Sequence, residues 1–172
     1  IGYDRRFLAP EFAEAISSGV RGCECHPFIT DTPVTTPACS WAVLQHQALG
    51  ALVITASHNP PEWLGLKIKS HLGGSVDADF TKAVEKRLLA GGITIPIQGK
   101  TESFDCREQH LIGLKKKFNL SAVANGLNAM GLKVIVDCMH GSAAGCIDEL
   151  LGNRSITCVE EIRISRDPLF GG

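Results

Sequence analysis

The sequence has 172 residues, and its formal net charge is −1, from 17 Lys and Arg against 18 Asp and Glu. This near-neutral balance, with no basic run longer than Lys115-Lys116-Lys117, argues against nucleic acids and membrane surfaces as partners. No apolar run approaches the roughly 20 residues that a membrane-spanning helix needs, and no basic-then-apolar leader opens the sequence. We therefore expect a soluble protein of one or two domains with a hydrophobic core of its own.

Seven cysteines are scattered among apolar segments without a Cys-x-x-Cys pair: Cys23, Cys25, Cys39, Cys106, Cys138, Cys146 and Cys158. This arrangement is typical of thiols packed as small apolar groups, so we expect the cytoplasm or another reducing soluble compartment. The most closely spaced potential metal ligands lie in Cys23-Glu24-Cys25-His26. In a strand, Cys23 and Cys25 would share one face and His26 would lie on the other, which does not favour a metal site.

The first half of the chain alternates predicted strands and helices. It opens inside a strand, and the pattern then predicts a helix over residues 9–20 and a strand over residues 22–28. A second helix is predicted from Thr36-Pro37 to about residue 49, followed by a strand over residues 51–54. Strand, helix, strand, helix, strand is the order that builds a parallel sheet with crossover helices.

Both predicted helices carry an apolar stripe at helical spacing, which we expect to pack on the sheet. On the first helix the stripe consists of Phe12, Ala15, Ile16, Gly19 and Val20. On the second helix it consists of Trp41, Leu44 and Ala48.

The strand over residues 51–54 is followed by a hairpin and a third helix. Residues 66–70 and 75–76 flank His71-Leu72-Gly73-Gly74, which favours a tight reversal between two short strands. Residues 77–90 then predict a helix that ends at Gly91-Gly92. Its expected apolar face consists of Phe80, Val84 and Leu88.

A domain boundary is predicted near residue 104, where Gly99 and neighbouring polar residues separate two α/β patterns. The second pattern comprises a long helix over residues 106–124, a strand over 132–137, a helix ending near 151 and a strand over 156–160. We therefore expect an α/β fold of mixed, mainly parallel sheets with crossover helices, in two consecutive domains of residues 1–104 and 105–172.

Ser57 is the candidate functional residue. It lies in Thr55-Ala56-Ser57-His58-Asn59-Pro60-Pro61, a stiff turn that directly follows an apolar strand. The carboxyl ends of such strands are where open α/β sheets place their active sites.

The chemistry around Ser57 leaves two interpretations open. The turn is not a hydrolase elbow, because Thr55 and Asn59 stand where that motif needs Gly. His58 cannot be assumed to be a base for Ser57, because neighbouring side chains generally diverge. Either Ser57 carries a chemical group, with His58, Asn59 and Lys67 nearby, or its hydroxyl only satisfies backbone groups of the turn.

Recognition of a family adds to these interpretations. Residues 55–60, followed by Gly65-Leu66-Lys67-Ile68, resemble the phosphoserine signature of the α-D-phosphohexomutases, the phosphoglucomutase and phosphomannomutase family. That family usually has Asn before the Gly, where this chain has Leu64. Gly2, Asp4 and Arg6 match its Gly-x-Asp-x-Arg spacing, and residues 167–172 resemble its second domain.

The resemblance implies an isomerase that interconverts hexose 1-phosphates and 6-phosphates through a phosphoserine and a bisphosphate intermediate. It implies four catalytic residues: Ser57, Lys67, Arg6 and His58. From the residues alone, Asp4 and Arg6 would be interpreted as an ordinary surface ion pair. Lys67 would be interpreted as a solvated residue at a sheet edge. Retention of both Ser57 and Lys67 favours the enzyme over the alternative, a non-catalytic α/β module that binds a phosphorylated ligand or a partner.

The resemblance also implies Mg²⁺ in the full-length protein, bound in part through the phosphate on Ser57. The carboxylate ligands are expected in an Asp-Gly-Asp-x-Asp-Arg loop beyond Gly172. The chain would then be a fragment, with domain I truncated at its N-terminus and domain II incomplete. Hexose phosphates, either glucose or mannose phosphates, are the expected partners, and the sequence determines neither the sugar nor the oligomeric state.

Overall fold

The computed structural model describes residues 1–91, 101–152 and 159–172. Within these ranges the strands are β1 (Gly2–Tyr3), β2 (Phe28–Thr30), β3 (Gly50–Ile54), β4 (Leu66–Ser70), β5 (Glu102–Phe104), β6 (Val134–Asp137) and β7 (Val159–Ile162). The helices are α1 (Ala9–Gly22), α2 (Thr36–Gln45), α3 (Ala78–Leu89), α4 (Cys106–Lys117), α5 (Leu120–Ala129) and α6 (Cys146–Leu151). None of these helices is both long and apolar enough to cross a bilayer.

The strands of the first half form a mixed, mainly parallel arrangement. β1 runs parallel to β3, β3 pairs antiparallel with β4, and β2 runs parallel to β5. β2 lies beside β1, as shown by the hydrogen bond from Thr30 N to Ile1 O at 3.0 Å. In the second half β6 and β7 are parallel. The predicted α/β fold class, with mixed, mainly parallel sheets and crossover helices, is confirmed.

Helix α1 packs on the sheet through small side chains, which differs from the predicted stripe. Ala9, Ala13 and Ser17 are buried, whereas Phe12 is 50% exposed. Small residues let the helix backbone approach the sheet closely, and the buried Ser17 hydroxyl is hydrogen-bonded to Thr101 Oγ1 at 2.7 Å. Of the predicted stripe, Ile16 does pack against the core, but the buried face is rotated from the expected one and is formed by Ala9, Ala13 and Ser17.

The core face of α2 also differs from its prediction. The buried residues of α2 are Ala38, Cys39, Ala42 and Val43. Leu44 is mostly exposed, and α2 ends at Gln45, before Ala48. Trp41 faces α4 instead of the sheet, and a Cβ at Gly113 of α4 would lie 2.3 Å from its ring.

The predicted strand over residues 22–28 was wrong. α1 continues to Gly22, and Cys23 N and Glu24 N still donate to helix carbonyls, at 3.1 and 3.0 Å. Glu24 has φ 57°, in the left-handed region that ends helices, so the strand begins only at Phe28. His26 contacts Glu102, with His26 Nε2 2.9 Å from Glu102 Oε1.

The hairpin and the third helix are confirmed. Ser70 N donates to Gly74 O at 2.8 Å, and Gly73 has φ 76° at the turn. Asp77 caps α3, since its carboxylate accepts a hydrogen bond from Phe80 N at 2.7 Å. The predicted apolar face of α3, however, is exposed at all three of its positions: Phe80, Val84 and Leu88.

The predicted long helix over residues 106–124 is two helices. Phe118 has extended backbone, with ψ 137°, and Asn119 caps α5 by accepting a hydrogen bond from Ala122 N at 3.0 Å. In β6, Val134 and Val136 are half-buried, but Ile135 is 58% exposed, so the expected burial of all three was wrong.

Two predictions fall partly outside the described residues. The strand predicted over residues 156–160 overlaps residues 153–158, which are not described, and β7 begins at Val159. The predicted boundary near residue 104 follows residues 92–100, which also lie outside the described part of the chain. The two-domain division therefore stays a prediction. Within the described part, α4 packs against α2 and buries Cys106 beside Cys39.

Candidate functional site

The Ser57 loop, residues 55–61, begins where β3 ends, at the carboxyl edge of the parallel strands. Thr55 N donates to Gly65 O at 2.9 Å, and Asp4 N donates to Ile54 O at 3.0 Å. These bonds fasten the start of the loop to Gly65, directly before β4, and to the segment after β1. The sequence prediction of a loop at this edge is confirmed.

Ser57 itself adopts a strained backbone and an exposed position. Its φ is 59°, in the left-handed region that costs a residue with a Cβ about 1–2 kcal/mol. The hydroxyl that satisfies the turn belongs to the buried Thr55, whose Oγ1 accepts from Ser57 N at 3.0 Å. Within the described ranges Ser57 Oγ has no hydrogen-bond partner. The Ser57 hydroxyl is therefore left free on the surface of the loop.

The guanidinium of Arg6 lies beneath the loop and binds its backbone. Arg6 is only 2% exposed. Its Nη1 donates to Pro60 O at 2.7 Å and to Trp63 O at 3.0 Å. Its Nη2 donates to Asn59 O at 2.7 Å and to Ser57 O at 3.1 Å. Four backbone carbonyls of one short segment thus converge on one side chain.

Asp4 balances the charge of this buried cation. Asp4 Oδ2 lies 3.2 Å from Arg6 Nε, within ion-pair distance but without the alignment of a hydrogen bond. Asp4 Oδ1 accepts from the backbone N of Arg6 at 2.9 Å. Both terminal nitrogens of Arg6 are engaged by the loop, so its guanidinium faces the loop backbone. Arg6 shapes the loop from below.

Lys67 and His58 occupy different positions around the loop. Lys67 lies on β4 directly opposite Val53, so the two side chains share a face of the sheet. It is half-buried, and among the described residues its ammonium has neither an ion pair nor a hydrogen bond. His58 is exposed and makes no hydrogen bond to Ser57, so a Ser-His pair is not present in this arrangement.

The departure from the family pattern at Leu64 has a packing explanation. Leu64 is partly buried against the core cluster that contains Tyr3, Ala9 and Ile54. An apolar residue here joins the loop to the core, where the family usually has an amide side chain.

The structure adds three residues to the site that the sequence did not identify. Arg5 donates to Ile164 O at 2.6 Å, and Arg166 donates to Arg6 O at 3.2 Å. The ring of Phe170 lies over the Arg6 guanidinium, 5.1 Å from Arg6 Cζ to the ring centroid. The segment after β7 had been noted only for its resemblance to a second domain, and no local pattern indicated these contacts.

The described residues do not by themselves form a metal site. No group of three or more His, Cys, Asp or Glu side chains in these ranges is placed to hold a metal ion. Asp137, at the end of β6, and Asp167, after β7, are each engaged: Asp137 with Arg163, and Asp167 with backbone N–H groups.

Comparison with known families identifies the architecture. The family model described as phosphoglucomutase/phosphomannomutase, alpha/beta/alpha domain I, matches residues 1–92, more than half of the 172 residues. The chain belongs to this family. The resemblance noted from the Ser57 loop is thereby confirmed, and the loop lies inside the matched domain I of this phosphohexomutase-family chain.

Individual relatives extend the match beyond domain I. The chain is 29% identical over 150 residues to a phosphoglucosamine mutase of Prochlorococcus marinus, which covers 87% of the chain and 33% of that protein. It is 26% identical over 175 residues to a phosphoglucomutase of Staphylococcus epidermidis, which covers 98% of the chain and 32% of that protein. The chain therefore spans about a third of the length of these curated relatives.

A solved structure agrees with the fold over nearly the whole chain. The crystal structure of a Thermus thermophilus protein, provisionally described as a phosphomannomutase, matches with a TM-score of 0.85 and 35% identity. The match covers 99% of the chain and 38% of that protein's chain. The segment after β7 is included in this similarity.

Proposed function

We propose that this chain is part of a phosphohexomutase, an intramolecular phosphotransferase that interconverts hexose 1-phosphates and hexose 6-phosphates. The observation that carries the proposal is the Ser57 hydroxyl. It is exposed on a strained loop at the carboxyl edge of the parallel strands, and it has no hydrogen-bond partner among the described residues. The family membership supports the same chemistry.

In the proposed cycle Ser57 begins as a phosphoserine. A free hydroxyl of the bound hexose monophosphate attacks the phosphorus as the bond to Ser57 Oγ breaks, and the hydroxyl proton passes to the departing oxygen by way of a neighbouring base. The product is a hexose bisphosphate. After it reorients, Ser57 Oγ attacks the other phosphoryl group, the second monophosphate leaves, and the phosphoserine is restored.

This chemistry requires positioning and charge more than covalent assistance. A phosphoserine carries a charge of about −1.5 to −2 at neutral pH. In our proposal Lys67 supplies a cation or proton carrier, and His58 supplies a donor beside Ser57. Arg6 contributes differently, because it turns the loop carbonyls toward its buried guanidinium and so directs the negative ends of these peptide dipoles inward.

We also propose that the full-length enzyme uses Mg²⁺. The ion would neutralise negative charge on the transferring group. From this chain we assign it one ligand, a phosphoryl oxygen on Ser57, and we expect its carboxylate ligands outside the described residues, because the described ones form no such cluster.

The substrate class follows from what the relatives' names have in common. Those names refer to phosphorylated glucosamine, glucose and, for the solved structure, mannose. The proposed substrates of the intact protein are accordingly hexose phosphates.

The experiment combines mass spectrometry with a coupled mutase assay on the full-length protein. We expect phosphate on the peptide that contains Ser57, its transfer to a hexose phosphate, and loss of turnover in Ser57→Ala. Ser103→Ala, which changes an exposed serine on β5, serves as the matched control and should retain activity. Normal turnover in Ser57→Ala would contradict the proposal, and hexose phosphate binding without any phosphoserine would favour a non-catalytic binding module.

A further inference from the structure

Two segments roughly 160 residues apart in sequence meet at Arg6. Arg166 donates from Nε to Arg5 O and from Nη2 to Arg6 O, each at 3.2 Å. Arg5 Nη1 donates in return to Ile164 O at 2.6 Å. With the ring of Phe170 over the guanidinium, the segment after β7 contacts both the backbone and the side chain of Arg6.

Phe170 is presented to Arg6 by a turn that Asp167 organises. Asp167 Oδ1 accepts from Leu169 N at 2.9 Å, and Asp167 Oδ2 accepts from Gly171 N at 3.0 Å. Phe170 has φ 55°, a left-handed conformation that is strained for an aromatic residue. Strain of this kind persists where the surrounding structure maintains it, and it commonly marks functional positions.

The contact with Phe170 restricts the orientation of Arg6. A planar guanidinium can serve the four carbonyls of Ser57, Asn59, Pro60 and Trp63 at the observed distances in one orientation only. An aromatic ring over the guanidinium plane attracts the cation and excludes water from that face. Displacing the ring would remove one of the contacts that hold Arg6 in this orientation, beside its hydrogen bonds to the loop and its ion pair with Asp4, so the loop carbonyls would be held less rigidly.

We propose that Phe170, assisted by Arg166, is a positioning residue for Ser57, because it locks Arg6 and thereby holds the Ser57 oxygen in line for transfer. The inference rests on the proposed mutase function. Misplacing a reacting atom by about 1 Å can cost ~10²-fold in rate. Because Phe170 acts on the loop and not on the sugar, its loss should lower kcat and leave KM nearly unchanged.

The test compares three variants of the full-length protein. We expect Phe170→Ala to lower kcat about 10- to 100-fold and Phe170→Tyr, which keeps the ring, to restore most of it. Leu169→Ala changes an exposed neighbour on the same turn and should keep the parent rate. In hydrogen exchange, peptides that cover residues 55–63 should exchange faster in Phe170→Ala alone.

Clear outcomes would overturn the inference. The first is a kcat of Phe170→Ala within about twofold of the parent value, well short of the ~10²-fold loss that is possible. The second is that Phe170→Tyr does not restore the rate. The third is unchanged hydrogen exchange in the loop. If Phe170→Ala does not fold, Phe170→Leu keeps the apolar packing without the ring, and the same expectations apply. Failure of the proposed function looks different: the unsubstituted protein would lack phosphate on Ser57 and interconvert no hexose phosphate, while the exchange comparison would still report whether Phe170 holds the loop.

Discussion

Arg6 is the residue on which the conformation of the Ser57 loop depends. A buried cation is costly unless its donors are satisfied and its charge is balanced. Here the loop carbonyls satisfy the terminal nitrogens and Asp4 balances the charge. The acceptors lie 51 to 57 residues further along the chain, so the local motif around Arg6 could not indicate this arrangement.

Removing the Arg6 side chain should destabilise the protein strongly. We expect Arg6→Ala to lower the free energy of unfolding by about 3 kcal/mol, because four loop carbonyls and the Asp4 carboxylate lose their buried partner. Arg6→Lys should cost less, about 1–2 kcal/mol, since it keeps the charge but not the planar fork. Urea denaturation measures both effects. Arg87→Ala on the exposed surface of α3 is the control, and a loss as large as that of Arg6→Ala would contradict the prediction.

Asp167 should make the turn that carries Phe170 sensitive to acid. Hydrogen bonds from the backbone N–H groups of Leu169 and Gly171 lower the pKa of Asp167 below its usual value. A carboxyl group with a depressed folded-state pKa stabilises the fold above its unfolded pKa, and the effect is lost as the pH falls through the folded pKa. The stability difference between the parent and Asp167→Asn should therefore be constant above about pH 5 and shrink below about pH 4. A difference that grows on acidification would exclude this role.

At the scale of elements, the packing of helices on the sheet and on each other depends on small residues. Ala9 and Ala13 place α1 on the sheet, and Gly113 of α4 makes room for the Trp41 ring of α2. Apolar periodicity identifies such helices, but it does not fix which of two adjacent faces packs most closely. The predicted stripes therefore missed the buried alanines, and about half of the Phe12 and Leu44 side chains remains exposed.

A pair of glycine substitutions tests the contact between α2 and α4. A Cβ at Gly113 would lie 2.3 Å from the Trp41 ring, so Gly113→Ala should cost about 1–3 kcal/mol of stability despite its better helix propensity. Gly126→Ala on α5 meets no atom within 4 Å and should stabilise by about 0.5–1 kcal/mol. Thermal unfolding of both variants checks the opposite signs. Trp41→Leu combined with Gly113→Ala should recover part of the loss, and two shifts of the same sign would refute the close contact.

At the scale of the whole molecule, the chain supplies one part of the proposed catalytic machinery. It contains Ser57, its supporting Arg6 and Lys67; among the described residues Lys67 has no ion pair and no metal-binding cluster is present. It also spans about a third of its curated relatives. In the proposed enzyme, we expect the contacts that bind the sugar and its distal phosphate to come from residues outside this chain.

We therefore predict negligible mutase turnover for the 172-residue chain by itself. Loss of one electrostatic stabiliser commonly costs ~10²–10³ in rate, and without contacts to the remote phosphate the substrate is poorly oriented. A coupled assay with glucose 1-phosphate or mannose 1-phosphate should find the chain at least ~10²-fold slower than the full-length protein. A matched rate would mean that the chain is already a complete enzyme.

The sequence by itself determined the features that depend on neighbouring residues. The position of the Ser57 loop at the end of β3, the helix that begins near Asp77 and the reversal at Gly73 were all predicted, because proline, helix-forming residues and glycine act within a few residues. The break before α5 had a local signal too, since Asn119 is a favourable cap that the apolar pattern concealed. Such local signals predicted the order of elements in the first half of the chain and the position of Ser57, the candidate functional residue.

Only the tertiary structure decided how the loop is held. Arg6 binds carbonyls more than 50 residues away, and Phe170 reaches Arg6 from the far end of the chain. Neither contact leaves a periodic or local trace in the sequence, because each depends on how the sheet brings distant segments to one edge. The same holds for the core faces, where close approach of backbones favours Ala and Gly over larger apolar residues. The sequence thus identifies the candidate reactive residue, Ser57, and the fold determines which side chains hold its loop.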